Sequence, residues 1–342
     1  MPAEKPIIIC TRGSALALTQ ANMVAAECRR IFPRLRFELK IIKTTGDKLQ
    51  TASVGANGGL PKGLFTKELE VALVKKQADI AVHSLKDLPT ELPAGLILAA
   101  TPKRADVRDV LIYRDADFLE RRNLDPRPSE LIEWTPGQSA LTGLQPHTKL
   151  KDFPKGATIA TSSTRRKAQL LAARPDLKVV EIRGNVPTRL QKVADRAELD
   201  GTVLALAGIV RLNFTISEDS KLHGDAVPDG VLATILDLDV MLPAVGQGAI
   251  GIETRADDER ISKIAERLNH FNTFQCVTAE RAFLAGMGGG CQSPVAAHAE
   301  VVGEQIKMRA ISFANGPMKK AEAKRSIKEA TELGQQLAAE LK

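Results

Sequence analysis

Ile7-Ile8-Ile9-Cys10-Thr11-Arg12-Gly13-Ser14 is the stretch that decides the fold. Its apolar start is typical of a short buried strand, and the polar turn that follows opens a helix-like run from Ala15 to about Ile31. A strand that ends in a Gly/Ser turn before a helix presents free backbone N–H groups, which form a natural anion site. The simpler interpretation is that Ser14 caps the helix and Arg12 is solvated.

A second unit of the same kind starts at Ala157. Residues 157–161 read as a strand, and the hydroxyl-rich segment Ser162-Ser163-Thr164 then opens a helix that begins with Arg165 and Arg166. Two strand–turn–helix units in one chain of 342 residues predict an α/β protein with two or three domains.

Composition narrows the function classes. Hydrophobic residues make up 44% and charged residues 26% of the chain, ordinary values for a globular protein, and no apolar run approaches the roughly 20 residues of a membrane helix. The apolar run at Ile7–Cys10 is too short for a signal peptide, so we expect a cytoplasmic protein with no membrane partner. The net charge of +7 favours anionic ligands, whereas the aromatic content of 4% argues against single-stranded nucleic acid.

Polar side chains of one kind follow several predicted strands. In open α/β sheets, ligands bind outside the carboxyl ends of the strands, so two facing units would bring these groups to one cleft. Arginine offers a planar, permanently charged fork that suits carboxylates, and Asp87 is the single acidic candidate for acid–base chemistry. The strand-end groups are Arg12, Ser14, Ser84, Lys86, Asp87, Arg165, Arg166, Arg183, Arg189 and Arg211.

A glycine-rich loop near the end of the chain carries a cysteine. Gly288-Gly289-Gly290-Cys291 places a nucleophile on a backbone with little steric restriction, although a cysteine beside glycines is more often an ordinary turn residue. The other cysteines match no disulfide or zinc framework, and no metal site is expected.

Five separate motifs, in order along nearly the whole chain, resemble the porphobilinogen deaminase (hydroxymethylbilane synthase) family. They are Arg12-Gly13-Ser14-Ala15-Leu16-Ala17-Leu18, His83-Ser84-Leu85-Lys86-Asp87-Leu88-Pro89, Arg183-Gly184-Asn185-Val186-Pro187-Thr188-Arg189, Leu242-Pro243-Ala244-Val245-Gly246-Gln247-Gly248 and Gly289-Gly290-Cys291-Gln292.

The resemblance implies a fold. It predicts two α/β lobes like those of type II periplasmic binding proteins and a small α+β C-terminal domain. The expected domains are residues 1–107 with 249–266, which carry the catalytic aspartate; residues 108–248, with an irregular insertion near 115–154; and residues 267–342, which carry the cysteine loop.

The resemblance also implies an activity. Members of the family join four porphobilinogen molecules head to tail and release ammonia, giving linear hydroxymethylbilane for tetrapyrrole and haem biosynthesis. The product grows on a dipyrromethane cofactor, and Cys291 matches the cysteine that binds this cofactor covalently. The family members suggest a cytoplasmic monomer that acts on a small molecule and needs no nucleic acid.

Site roles follow from the matched motifs. Asp87 matches the catalytic aspartate. The residues expected to bind the cofactor besides Cys291 are Ser84, Lys86, Ser163, Arg165, Arg166 and Arg183. The residues expected to bind substrate are Arg12, Ser14, Lys62, Phe65, Arg108, Arg189, Arg211 and Gln247, of which Lys62 and Phe65 lie in a segment like the family's lid.

Two other interpretations stay open. A non-catalytic two-lobed protein that binds polycarboxylates would explain the arginines but would leave Asp87 and Cys291 without a role. A nucleic-acid-binding protein would explain the net charge, and its affinity would fall steeply with salt.

Overall fold

The helices and strands alternate through most of the chain. The computed structural model describes residues 5–45, 65–124, 141–290 and 293–342. The strands are β1 (Ile7–Arg12), β2 (Phe37–Ile42), β3 (Ile80–Ser84), β4 (Leu96–Ala100), β5 (Asp109–Arg114), β6 (Thr158–Ala160), β7 (Lys178–Val180), β8 (Gly201–Ala205), β9 (Thr215–Ile216), β10 (Leu222–His223), β11 (Val231–Ile235), β12 (Ile250–Arg255), β13 (Val295–Val302), β14 (Gln305–Ser312) and β15 (Lys319–Ser326).

The helices are α1 (Ala15–Ile31), α2 (Lys67–Val74), α3 (Ala116–Leu124), α4 (Thr164–Ala173), α5 (Val186–Asp195), α6 (Leu206–Arg211), α7 (Glu259–Leu268), α8 (Phe271–Gly286) and α9 (Ala330–Leu341). Short 3₁₀ turns span Leu85–Asp87, Leu150–Asp152 and Ile327–Glu329. No helix in the described ranges combines the length and the apolar character that crossing a membrane requires.

The chain divides into two units. The first contains residues 1–107 and 242–342, and the second contains residues 108–241. The expected three-domain division stays a prediction. Its first boundary coincides with the start of the second unit, but residues 242–248, which we assigned to the second domain, belong to the first unit.

The first unit contains a five-stranded sheet in the order β2-β1-β3-β12-β4. Strand β1 runs parallel to β2 and β3, whereas β12 runs antiparallel to β3 and β4. Helix α1 covers this sheet with Ala21, Val24, Ala25 and Cys28, which recur at the spacing that puts them on one helical face. Ser14 caps α1, because its Oγ accepts a hydrogen bond from the Ala17 N–H at 3.3 Å.

The second unit contains a sheet in the order β7-β6-β8-β5-β11. Strand β6 is parallel to β7 and β8, and β5 is antiparallel to β8 and β11. Strand β5 alternates between two cores: Leu111 and Tyr113 face one apolar cluster, and Val110 and Ile112 face the other. A strand buried on both faces explains the continuous apolar run in its sequence.

The two sheets share one topology. In each, three strands run parallel and are followed by one antiparallel strand and by one edge strand. The antiparallel strand is β12 in the first sheet, from the segment of chain after the second unit, and β5 in the second sheet, from the start of that unit. This is the strand order of type II periplasmic-binding-protein lobes, and the predicted fold class is confirmed.

The C-terminal part of the first unit has its own core. Strands β13, β14 and β15 form an antiparallel sheet, and α8 and α9 pack on it through residues such as Phe283 and Leu337. The sequence predicts paired strands at residues 295–302 and 306–313 and a closing helix at residues 326–342, and the structure confirms them as β13, β14 and α9. The sequence analysis missed β15, because its residues are almost all charged or alanine and it is held as an edge strand by backbone pairing with β14.

The insertion predicted near 115–154 is partly regular. Residues 116–124 form α3, and a 3₁₀ turn occupies residues 150–152, while residues 125–140 lie outside the described ranges. The prediction of an irregular segment was therefore wrong for α3. Its mean hydropathy is low, so the apolar periodicity that normally indicates a helix is weak.

Candidate active site at the strand ends

Asp87 lies in a tight turn at the carboxyl end of β3. Asp87 ends the 3₁₀ turn that begins directly after Ser84, and both Asp87 and Lys86 are half-buried. The turn is closed by the Leu88 N–H, which donates to Leu85 O at 3.1 Å, and it is joined to the start of β12 by the Leu85 N–H, which donates to Ala249 O at 3.0 Å. None of the described residues forms a hydrogen bond or ion pair with the Asp87 carboxylate. The carboxylate is therefore available to a ligand.

Ser84 is oriented by a buried amide. The Gln20 side chain on α1 donates to Ser84 Oγ at 3.0 Å, and Ser84 Oγ lies 3.0 Å from Gln20 Oε1. This contact fixes the hydroxyl at the end of β3. Nothing in the local sequence around Ser84 indicated that Gln20 is its partner.

The glycine of the 242–248 motif makes room for this turn. Gly246 has φ +71°, and a Cβ there would lie 3.3 Å from Lys86 N and 3.1 Å from the Leu85 side chain. A larger residue would be strained by its backbone conformation and would press on the turn that carries Asp87. Gly246 of this motif therefore packs directly against the turn at the end of β3.

Arg12, Ser14 and Phe65 come together at the end of the neighbouring strand. The Arg12 guanidinium lies 4.2 Å from the centre of the Phe65 ring, a cation–π contact. Because β1 and β3 are parallel neighbours, Arg12 and Asp87 belong to the same edge of the first sheet.

Two arginines lie at the corresponding edge of the second unit's sheet, on the helix that follows β6. Arg165 Nη2 lies 2.9 Å from Asp109 Oδ2, and Arg166 Nη2 lies 2.7 Å from Asp109 Oδ1, so two guanidiniums share one carboxylate. All three side chains are buried. Burial lowers the pKa of Arg165, and the charge of Asp109 opposes this effect. Ser163 caps α4 by accepting from Arg166 N at 3.4 Å.

The Arg183–Arg189 motif forms the start of α5. Asn185 caps the helix by accepting from Thr188 N at 3.0 Å, and Pro187 occupies its first turn. Arg189 Nε donates to Gly184 O at 2.8 Å, whereas Arg183 is exposed and lies 3.8 Å from Glu181. The motif therefore places two cations beside β7. Arg189 is held by its hydrogen bond to Gly184 O, and Arg183 has a long, exposed side chain.

Arg108 and Arg211 flank the paired strands β5 and β8. The Arg108 carbonyl accepts from Leu206 N at 3.0 Å, at the first residue of α6, and Arg211 is the last residue of that helix. Burial lowers the pKa of Arg211 to about 10. Both arginines lie in the same unit as Arg165 and Arg166.

Gln247 has a different environment from the one we expected. Its side chain is fully buried, and its Nε2 donates to Val107 O at 2.7 Å, while its carbonyl accepts from Arg104 Nε at 2.8 Å. These contacts give Gln247 a structural role, and its contact with substrate stays a prediction. Lys62 and Cys291 lie outside the described residues.

Two buried acidic residues were missed by the sequence analysis. Asp109 neutralises one of the two arginines on α4, and Glu253 on β12 lies 2.9 Å from His83 Nε2 on β3. Both acids lie within buried strands, where a charged residue needs a partner. That pattern in the sequence could have indicated buried ion pairs, although not which partners they have.

Two family models match most of the chain. The model "Porphobilinogen deaminase, dipyromethane cofactor binding domain" matches residues 7–263, and the model "Porphobilinogen deaminase, C-terminal domain" matches residues 274–342.

Curated relatives are similar over most of their length. The porphobilinogen deaminase of Chlorobium phaeobacteroides is 42% identical over 92% of this chain and 85% of its own. That of Chlorobium luteolum is 44% identical over 86% of this chain and 79% of its own, and that of Syntrophomonas wolfei is 41% identical over 97% and 93%. With matches of this extent, the chain belongs to the porphobilinogen deaminase family.

Proposed function

We propose that the chain is a hydroxymethylbilane synthase, a transferase that condenses four porphobilinogen molecules with one water to give linear hydroxymethylbilane and four ammonia molecules. Two observations support the proposal: the first unit has a half-buried carboxylate, Asp87, with no partner among the described residues, and the second unit has two buried arginines that share one carboxylate. Family membership supports the reaction type.

The chain's donors fit a dipyrromethane cofactor. Each pyrrole ring of that cofactor carries an acetate and a propionate, so its binding site needs cations and hydroxyl donors. Arg165 and Arg166 place two positive charges beside the single carboxylate of Asp109. A ligand carboxylate would compensate this charge, and guanidinium groups bind carboxylates through two parallel hydrogen bonds.

Six described residues and one outside the described ranges would hold the cofactor. Cys291 would bind it covalently, and the noncovalent contacts would come from Ser84, Lys86, Ser163, Arg165, Arg166 and Arg183. When bound, the cofactor supplies the primer to which porphobilinogen units are added.

Asp87 would act as the acid–base group. Its carboxylate would bind the pyrrole N–H and the departing amine of porphobilinogen, and it would hold the proton that leaves with ammonia. A positioned acid–base group contributes about 10²–10⁴-fold to a rate. The absence of competing partners among the described residues leaves both carboxylate oxygens for this work.

The remaining strand-end groups would bind the substrate carboxylates. Arg12, with its guanidinium stacked on Phe65, would serve in the first unit together with Ser14. Arg108, Arg189 and Arg211 would serve in the second unit. Lys62 and Gln247 complete the proposed set.

Intact mass and ammonia release test the proposal together. Freshly purified protein should be heavier than its sequence by two porphobilinogen units, each less one ammonia, and Cys291→Ser should remove this addition. The protein should release one ammonia for each porphobilinogen consumed. An unmodified chain that binds polycarboxylates without releasing ammonia would instead support the non-catalytic two-lobed protein.

The location and the assembly are also proposals. We propose a cytoplasmic monomer, in keeping with the family resemblance. Sedimentation of the cofactor-loaded protein at micromolar concentration tests the monomer, and a dimer at that concentration would contradict it.

A further inference from the structure

Arg281 binds the backbone that directly follows Asp87. This arginine lies on α8, and its Nη1 donates to Leu88 O at 3.1 Å. Its Nη2 donates to Pro89 O at 2.6 Å and to Thr90 O at 3.3 Å. One guanidinium thus binds three successive carbonyls, beginning one residue after the proposed acid–base group.

The charge of Arg281 makes this contact unusual. Burial lowers the pKa of Arg281 to about 10, and no described carboxylate forms an ion pair with it. The preceding residue on α8 shows the alternative: Glu280 forms a bidentate ion pair with Arg104, at 2.7 and 2.9 Å. Because Arg281 is half-buried and burial disfavours its charged form, the three carbonyls supply the hydrogen bonds that stabilise its guanidinium.

The loop that follows α8 also contacts the segment after Asp87. Helix α8 ends at Gly286, and the loop that follows brings Gly289 against Thr90: a Cβ at Gly289 would lie 3.0 Å from Thr90 Oγ1. The stretch after Asp87 is therefore in contact with both the body of α8 and the glycine loop beyond it.

The position of the Asp87 carboxylate depends on its backbone. No described side chain holds the carboxylate, so the 3₁₀ turn and the residues that follow it determine where it lies. Releasing those residues would let the carboxylate move, and a misplacement of about 1 Å in a catalytic group can cost about 10²-fold in rate.

We propose that Arg281 is a positioning residue for Asp87, which holds the carboxylate in place for each porphobilinogen addition by binding the carbonyls of Leu88, Pro89 and Thr90. This inference rests on the proposed function. It assigns a role in the reaction to a residue of α8, outside the two sheets whose ends carry the proposed substrate-binding groups.

Three variants of the cofactor-loaded protein test the proposal. Arg281→Gln removes the positive charge and the planar guanidinium group, whereas Arg281→Lys keeps a cation that cannot span three carbonyls. Arg255→Gln is the matched control. Arg255 is more deeply buried and binds two carbonyls, Leu73 O at 3.0 Å and Ala78 O at 2.6 Å, but it ends β12 beside the start of β3, at the opposite end of that strand from Asp87.

We expect Arg281→Gln to lower kcat by about ten- to hundredfold with little change in KM, and Arg281→Lys to recover part of that loss. Arg255→Gln should reduce thermal stability at least as much, because it also breaks ion pairs with Asp79 and Asp258, yet keep kcat per folded molecule. Hydrogen exchange should accelerate at the Leu88 and Thr90 amides in Arg281→Gln and not in Arg255→Gln.

A wild-type kcat in Arg281→Gln would overturn the proposal, as would an equal fall of kcat in Arg255→Gln. If Arg281→Gln does not fold, Arg281→Lys decides by the same comparison. The exchange measurement needs no turnover, so it tests the Arg281 contact separately from the proposed function. Wild-type protein that releases no ammonia refutes the proposed function, and unchanged exchange in Arg281→Gln refutes the contact.

Discussion

The two sheets have the same strand order but opposite chemistry at their ends. In the first unit, the edge formed by β1 and β3 carries Asp87, whose carboxylate is unpartnered among the described residues. In the second unit, the corresponding edge carries Arg165 and Arg166 around one buried acid, Asp109. The shared topology therefore supplies equivalent positions, and under the proposed function the residues there would divide proton transfer from carboxylate binding.

The difference also appears in how each site is held. The Asp87 turn is fixed through backbone contacts, from Ala249 on one side and Arg281 on the other. The arginine pair is fixed through a buried ion pair, with Arg166 Nη1 also donating to Val203 O at 2.8 Å. Loss of the Asp87 charge should therefore lower activity and leave stability nearly unchanged, whereas loss of the Asp109 charge should mainly lower stability.

The largest expected effect is that of Asp87→Asn. The change keeps the shape of the side chain but removes its ability to exchange a proton, so kcat should fall by about 10²–10⁴-fold while the thermal midpoint stays close to that of the wild type. Ammonia release under saturating porphobilinogen measures this. The exposed Asp257→Asn, in the same unit, is the control and should be fully active. Normal turnover by Asp87→Asn would show that Asp87 is not the acid–base group of the reaction.

Asp109→Asn should affect folding more than chemistry. Removing the carboxylate takes from two buried guanidiniums the acid that they share, so the free energy of unfolding should fall by about 3 kcal/mol, measured by urea unfolding. Asp219→Asn breaks an exposed pair with Lys221 in the same unit and should leave stability nearly unchanged. Equal stability of Asp109→Asn and wild type would show that Asp109 is not what holds the arginine pair.

Arg183→Ala should have the smallest effect of the three. Its exposed side chain contributes little to the fold, and losing one charge-assisted hydrogen bond to a ligand carboxylate should lower kcat/KM about tenfold and reduce the fraction of chains that carry the cofactor mass. Arg196 is a matched control, because it is similarly exposed and lies 3.7 Å from Glu198. If Arg196→Ala lowers kcat/KM as much, the effect reflects net charge rather than a specific contact.

Much of the fold was predictable because it depends on local patterns. The apolar run of β1, the serine cap and the one-sided spacing of α1 are adjacent in sequence, and the structure has helix α1 at the predicted bounds. Prediction failed where tertiary context decided the structure. The apolar run at residues 202–207 predicts one strand, but residues 206–207 begin α6. The sequence around Cys276 predicts a helix that starts after it, but Cys276 lies buried within α8.

The sequence by itself determined the chemical inventory: the α/β class, the strand-end arginines, the single candidate acid and the motifs of the porphobilinogen deaminase family. These follow from residue types at short spacings, which local physics constrains. Only the tertiary structure decided the partners: Asp109 for two arginines, Gln20 for Ser84, and Arg281 for the backbone after Asp87. Partners separated by tens to hundreds of residues are chosen by the packing of whole elements, and a linear spacing carries no information about that packing.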